Sequence, residues 1–204
     1  MESLVILGAG GFAREVAWLV SRINSAAPRF RLLGFCDDDP DLSSGELVGL
    51  PLLGPVEALS SPVSFFCAVG NNRTRRELCE RAVVCGHTLA TPLIDPTAVI
   101  APGVTIGAGS VVGVESIVSV GAVIGEGVLV NHRVCVGHDA RVGDFAQLCP
   151  GVSVSGGCDI GEGALLGSNA CTIPLRNVGA WATVGAGCCV LRDVDGGATL
   201  ARIR

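Results

Sequence analysis

The chain has 204 residues, 49% of them apolar and 16% charged, with a net charge of −5 carried against fourteen arginines and no lysine. That length accommodates two small domains, each with its own core. No apolar run approaches the ~18 residues that span a bilayer, and no basic stripe suits nucleic acid, so neither a membrane nor a nucleic acid is expected as a partner. The opening Met1-Glu2-Ser3 runs straight into Leu4-Val5-Ile6-Leu7 without a basic leader or cleavage pattern, which points to the cytoplasm. Ten cysteines without a C-x-x-C pair read in that setting as free, mostly buried thiols.

Leu4–Leu7 reads as a short strand. Phe12–Ile23 follows with helical spacing of Phe12, Val16, Leu19, Val20 and Ile23. Arg31–Cys36 and Ser64–Val69 are further strands, and Arg73–Cys85 is a second helix with Leu78, Ala82 and Cys85 on one face. This alternation predicts a small parallel sheet, a Rossmann-like unit over residues 1–90. Between the first strand and helix, Gly8-Ala9-Gly10-Gly11-Phe12-Ala13 has the spacing of a phosphate-binding turn. Its glycines permit close backbone approach, and a helix N-terminus favours a diphosphate. Asp37 and Asp38 follow the second strand, where a carboxylate can meet ribose or base; Gly70-Asn71-Asn72 borders the same pocket. Arg73 and Arg75 are candidate phosphate partners, a solvated helix face being the alternative reading of Arg73, Arg75 and Arg76. About 90 residues supply only half of a dinucleotide fold, so a nucleotide sugar is favoured over NAD.

From Ile94 the period becomes six and holds to Val190. The first positions (Ile94, Ile100, Ile106 and onward) are Ile, Leu or Val in sixteen of seventeen hexads, with Thr172 the remaining one. Fifth positions are small, as at Ala122, Ala140, Ala146 and Cys158, and the second is often glycine. This pattern predicts a hexapeptide β-helix over residues 91–204, its interior filled by one aliphatic and one small residue per hexad, with glycine permitting the corners. Three hexads make one triangular coil, so residues eighteen apart stack about 4.8 Å from each other. The pattern resembles the left-handed form of this fold. Arg176 falls in a small inward slot, which predicts a loop-out or bulge over Thr172–Arg176. Cys171 and Cys189 stack on adjacent coils and are expected to stay reduced.

The register separates the two histidines of Val130–Asp144. His132 and His138 both occupy third positions, at corners one-third of a coil apart, so they cannot pair within one chain and no metal site is expected. Eighteen residues beyond His138 is Gly156, which leaves room for a ligand and an approachable N–H; beyond His132 is Pro150, which has none. His138 is therefore the reactive candidate, and His87 reads as structural.

Together, Gly8 to Val16, Val69-Gly70-Asn71-Asn72, the hexad array, and Asn131 with His138-Asp139 resemble the sialic acid O-acetyltransferase family. That family includes bacterial N-acetyltransferases of nucleotide-linked amino sugars, of the bacillosamine and perosamine type, and the resemblance covers nearly the whole chain. Hexads alone would suit any acyltransferase of this fold or a γ-type carbonic anhydrase. The resemblance implies a homotrimer with acetyl-CoA, the co-substrate, in grooves between neighbouring β-helices. It implies that His138 is the general base, Asp139 the acidic residue after it, Asn131 a neighbour of the site, and Gly156 the donor of an N–H to the thioester carbonyl. Ser168 and Ala186 match residues lining the pantetheine track from the adjacent subunit, a face that they share with His132. Two departures stand out: Gln147 replaces a second histidine near the cofactor, and the C-terminal segment is reduced to Thr199-Leu200-Ala201-Arg202.

The implied chemistry is acetylation of a nucleotide-linked amino sugar. Imidazole, with an ordinary pKa near ~6.5, takes a proton from the acceptor at neutral pH, and a backbone N–H steadies the oxyanion. Acetylation of a sugar hydroxyl uses the same base and stays open. So does a non-catalytic nucleotide-sugar- or CoA-binding protein, given Gln147 and the short C-terminus.

Overall fold

A computed structural model describes residues 1–42 and 45–201. They fall into two compact units, Met1–Leu93 and Ile94–Arg204. No helix among the described residues is long and apolar enough to cross a membrane.

In the first unit, β1 (Glu2–Leu7) buries Leu4, Val5, Ile6 and Leu7, the continuous apolar run that a central parallel strand requires. Helix α1 (Gly11–Ala26) buries Ala13, Val16, Leu19, Val20 and Ile23. Strand β2 (Phe30–Cys36) follows, then a small antiparallel hairpin of β3 (Glu46–Leu47) and β4 (Leu50–Pro51). Strand β5 (Ser64–Cys67), helix α2 (Asn72–Val84) and strand β6 (Thr88–Leu89) complete the unit. The sheet is parallel in the order β2-β1-β5-β6. Helix α2 buries Ala82 as expected but is rotated from the Leu78–Ala82–Cys85 stripe, with Leu78 only half-buried. Arg75, Cys79 and Ala82 are buried while Cys85 is exposed. The rotation is tolerated because Arg75, 1% exposed, finds acceptors: Nη1 donates to the Val69 carbonyl at 3.1 Å and to Asn72 Oδ1 at 3.0 Å. Burial nevertheless pushes its pKa down to about 10. Arg75 is thus no part of a solvated face.

The second unit is a parallel β-solenoid of three sheets, with seven, six and five strands. Each strand joins the sixth residue of one hexad to the first of the next, as in Cys135–Val136. The first residue points inward: Val130, Leu148, Leu166 and Val184 are fully buried in one column, with Ala146, Ala164 and Cys158 among the small residues beside them. The corners turn at the fourth position rather than at the second-position glycines. There the backbone is left-handed, in glycines such as Gly121 and Gly157 and equally in Glu115, Arg133, Asp139, Asn169, Leu175 and Trp181. Second-position glycines serve close stacking instead. A Cβ on Gly137 would lie 2.6 Å from the Gly156 nitrogen, and one on Gly167 2.6 Å from that of Ala186.

The register passes through Thr172–Arg176 with no inserted residue, so the expected loop-out is absent; Asn177–Val178 follows Cys171–Thr172 as any strand follows another. Arg176 avoids the inward slot by turning its guanidinium to Asp193 (Nη1–Oδ1 3.4 Å). The last coil is the irregular one. Thr199 pairs with Thr183, sixteen residues back rather than eighteen. Asp193 ties this short coil down, accepting from the Asn177 backbone N–H and Nδ2, both at 3.0 Å. All ten cysteines are free, Cys171 and Cys189 included, although these two pair in register.

The Asn177 backbone N–H, its side-chain amide and then Arg176 hold the Asp193 carboxyl below its ordinary range. A folded-state value below the unfolded one gives stability that is present above the unfolded pKa and lost as pH falls through the folded one. Asp193→Asn should therefore lower the urea midpoint at neutral pH, and the difference from wild type should close as the pH falls through the folded-state value of Asp193.

Candidate active site

From Gly127 onward, corner residues align through backbone hydrogen bonds from the fourth-position N–H to the third-position carbonyl one coil earlier. Asp139 donates to Val120 (2.9 Å), Gly157 to His138 (2.9 Å) and Leu175 to Gly156 (3.1 Å). Val120, His138, Gly156 and Pro174 thus form one corner column. On the preceding corner Gly151 donates to His132 (3.0 Å), Asn169 to Pro150 (2.9 Å) and Gly187 to Ser168 (2.9 Å). His132, Pro150, Ser168 and Ala186 belong to that column.

His138 is 66% exposed, and its Nδ1 stands 2.9 Å from Asp139 Oδ2. Asp139 reaches back because its own backbone is left-handed (φ 58°), a conformation that aspartate tolerates better than most side chains. A carboxylate accepting from Nδ1–H leaves the lone pair of the neutral ring on Nε2. That nitrogen lies over Gly156, where any Cβ would run into it. The glycine therefore makes room for the imidazole itself, a tighter constraint than the ligand space expected. Among the described residues no hydrogen bond takes the Gly156 N–H.

Other candidates stand apart from this corner within one chain. Asn131 belongs to the His132 corner, where its Oδ1 accepts the His132 N–H at 2.7 Å. Gln147 is on the outer side of the seven-stranded sheet between Leu129 and Leu165, with Nε2 donating to Cys149 Sγ at 3.6 Å. Ser168 and Ala186 stack above His132. The short C-terminal segment runs into residue 202, outside the described residues. Among the described residues no group of three or more His, Cys, Asp or Glu is placed to hold a metal ion.

In the first unit, a cavity of about 110 Å³ opens where β1, β2 and β5 end, lined by Gly8, Asp37, Asp38, Val56, Val69 and Arg81 among others. This is the crevice beyond the carboxyl ends of parallel strands where α/β sheets bind ligands. Gly8 has φ +100°, and a Cβ on it would sit 3.2 Å from the Ala68 carbonyl oxygen. Helix α1 has Gly10 as its N-cap, with no side-chain cap, so its N-terminal amides stay open to an anion. Asp37 holds the glycine turn: Oδ2 accepts the Ala9 N–H at 2.8 Å, and Oδ1 accepts that of Asp39 at 3.0 Å. Asp38 pairs with Arg81 Nη2 at 2.6 Å, and Arg81 Nε also faces Glu57 at 2.7 Å. The sequence reading missed Arg81, which lies nine residues beyond Asn72. Asn71 caps α2, accepting from Thr74 N–H at 3.1 Å, and Asn72 holds Arg75. Phe12 packs edge-on to Phe66, centroids 6.4 Å apart. Several residues expected to touch a ligand thus build the loops that border the crevice.

With this geometry in view, similarity to known proteins is specific. A family model for the PglD N-terminal domain matches residues 3–82, whereas no curated protein sequence matches significantly. The acetyltransferase domain of PglB from Neisseria gonorrhoeae FA1090, in complex with acetyl coenzyme A, is 34% identical over 97% of this chain and 95% of that one, with a TM-score of 0.85. PerB from Caulobacter crescentus, in complex with CoA and GDP-perosamine, is 30% identical over 98% and 93%, with a TM-score of 0.88. WeeI from Acinetobacter baumannii AYE is 27% identical over 98% and 96%, with a TM-score of 0.85. Identities of 30% and above across almost the full length of two such relatives establish that the chain belongs to the family of hexapeptide-repeat sugar acetyltransferases.

Proposed function

We propose that this protein transfers the acetyl group of acetyl-CoA directly to the amine of a nucleotide-linked amino sugar, with His138 as general base. The observation that carries this reading is the Asp139–His138 pair at 2.9 Å, with Nε2 over Gly156. Acetyl-CoA supplies an activated thioester. His138 Nε2 accepts a proton from the amine as its nitrogen bonds to the carbonyl carbon, and Asp139 holds the resulting imidazolium. The Gly156 N–H donates to the carbonyl oxygen as charge gathers there. His138 then returns the proton to the departing thiolate of CoA, and no covalent enzyme intermediate forms.

The nucleotide is assigned to the first unit, with its diphosphate at Gly10 and Gly11 and the base in the crevice beside Asp38 and Arg81. GDP-perosamine bound to PerB supports an amino sugar joined to a nucleotide, and favours the amine over a hydroxyl as acceptor. Acetyl coenzyme A bound to the PglB domain supports the donor.

The working unit in this reading is a homotrimer. Ser168, Ala186 and Gln147 lie away from His138 in their own chain, so they serve as the cofactor track for the His138 of a neighbour. The six-stranded sheet between the two corners supports such an interface. Its outward column is Val99, Ile117, Cys135, Ser153, Cys171 and Cys189, with no charge. Val99 is 59% and Ile117 45% exposed in the single chain, an apolar stripe that a symmetric neighbour covers.

Two experiments test the reading. Assayed for CoA release with UDP-, GDP- and dTDP-linked amino sugars, the wild type should turn over at least one of them, and His138→Ala should lose about 10²–10⁴-fold; wild-type turnover in the variant would remove His138 as base. Ile117→Asp should sediment as a monomer and lose turnover, whereas an active monomer would show that one chain suffices.

A further inference from the structure

One rung beneath the site breaks the ladder of the solenoid. At each other second position from Asp95 to Ile173, the backbone N–H donates to the first-position carbonyl of the next coil, as Asn131 does to Leu148 (3.0 Å) and Gly137 to Val154 (2.8 Å). Ser155 departs from this rule. Its N–H donates to the Thr172 side chain, Oγ1, at 2.8 Å, and its own hydroxyl donates to the vacated Thr172 carbonyl at 2.6 Å. Strand pairing is correspondingly reduced to Ser153 with Cys171, where neighbouring rungs pair two residues. Thr172 is the one first position that is not Ile, Leu or Val.

A buried hydroxyl in an aliphatic column is costly unless its bonds are met, and here they are. Thr172, 5% exposed, has Cys158 Sγ 3.2 Å from its Oγ1, and that thiol lies 3.3 Å from the Ile173 carbonyl. Oγ1 accepts from Ser155, the threonine proton goes to Cys158 sulfur, and the thiol proton goes to Ile173. Moving the acceptor from a main-chain carbonyl to a side chain changes where the Ser155 peptide is held. The next residue in the chain is Gly156.

We infer that Thr172 is a positioning residue for catalysis: its hydroxyl, with Ser155 and Cys158, sets the Ser155–Gly156 backbone so that the Gly156 N–H meets the developing oxyanion. This inference rests on the proposed reading of Gly156 as the oxyanion donor. It also accounts for a polar residue at a position where valine would satisfy the hexad.

The test compares Thr172→Val with Thr172→Ser in the full-length protein, measuring the Ser155 and Gly156 amide resonances and steady-state kinetics with acetyl-CoA and the best nucleotide-linked amino sugar. Valine matches the other first positions, so the variant should fold. In Thr172→Val the two amides should shift and kcat should fall by about tenfold or more, with both KM values within about twofold. Thr172→Ser should restore both the resonances and kcat. Unmoved amides in Thr172→Val, or a loss in Thr172→Ser as large as in Thr172→Val, would overturn the positioning role while leaving Gly156 as donor untouched. Shifted amides with unchanged kcat would instead remove Gly156 as the donor, and the proposal with it.

Discussion

Close contact between successive coils is the constraint on which the rest depends. Hydrogen bonds join coil to coil at almost every second, fourth and sixth position, and the parallel spacing of about 4.8 Å leaves no room for side chains where backbones cross. Glycine at Gly137, Gly143, Gly161 and Gly167 meets that requirement, since a Cβ at any of them would press on the next coil's main chain. Once coils are locked in phase, a residue's place in its hexad fixes its direction. Aliphatic first positions fill the interior and sixth positions face out. Third positions stand at corners, where an imidazole can be exposed on a rigid backbone.

The same constraint makes the site precise without burying it. His138 and Asp139 are adjacent in sequence, yet the left-handed backbone at Asp139 turns its carboxylate onto Nδ1. Gly156, eighteen residues on, is held by the Leu175 N–H and the Thr172–Ser155 exchange. Rigid rungs thus hold the proposed base, the carboxylate beside it and the proposed backbone donor, the kind of preorganisation that acyl transfer rewards. The first unit uses different means toward a similar end. Asp37 ties the glycine turn to β2, while Arg75 supports the loop after β5 from below.

Much of this was legible in the sequence because the period of six is unbroken. The column partners of His138 and His132 follow from counting, and so does the separation of the two histidines. Polar side chains that bond their own backbone were harder to read. Asp37, Asn71 and Asn72 have the composition of ligand contacts, yet their hydrogen bonds go to loops and caps. The buried face of α2 was misjudged because an arginine is rarely inside, and Arg75 is buried only because the Val69 carbonyl and Asn72 accept from it. The anomaly at Thr172–Arg176 was visible, but its form was not. Arg176 suggested an insertion, whereas the irregularity is an exchange of hydrogen bonds at Thr172, which only coordinates reveal.

In the proposed trimer the register divides the site between two chains, His138 on one and the Ser168–Ala186 track on the next. Subunit mixing tests this most directly. His138→Ala and Ser168→Arg chains, each inactive alone, would be dissociated, combined and reassembled before assay with acetyl-CoA and an accepted nucleotide-linked amino sugar. In a closed trimer holding both kinds of chain, about one interface in three joins an intact base to an intact track, so activity should reappear on mixing. A mixture that reassembles into trimers and stays as inactive as its parents would contradict the account.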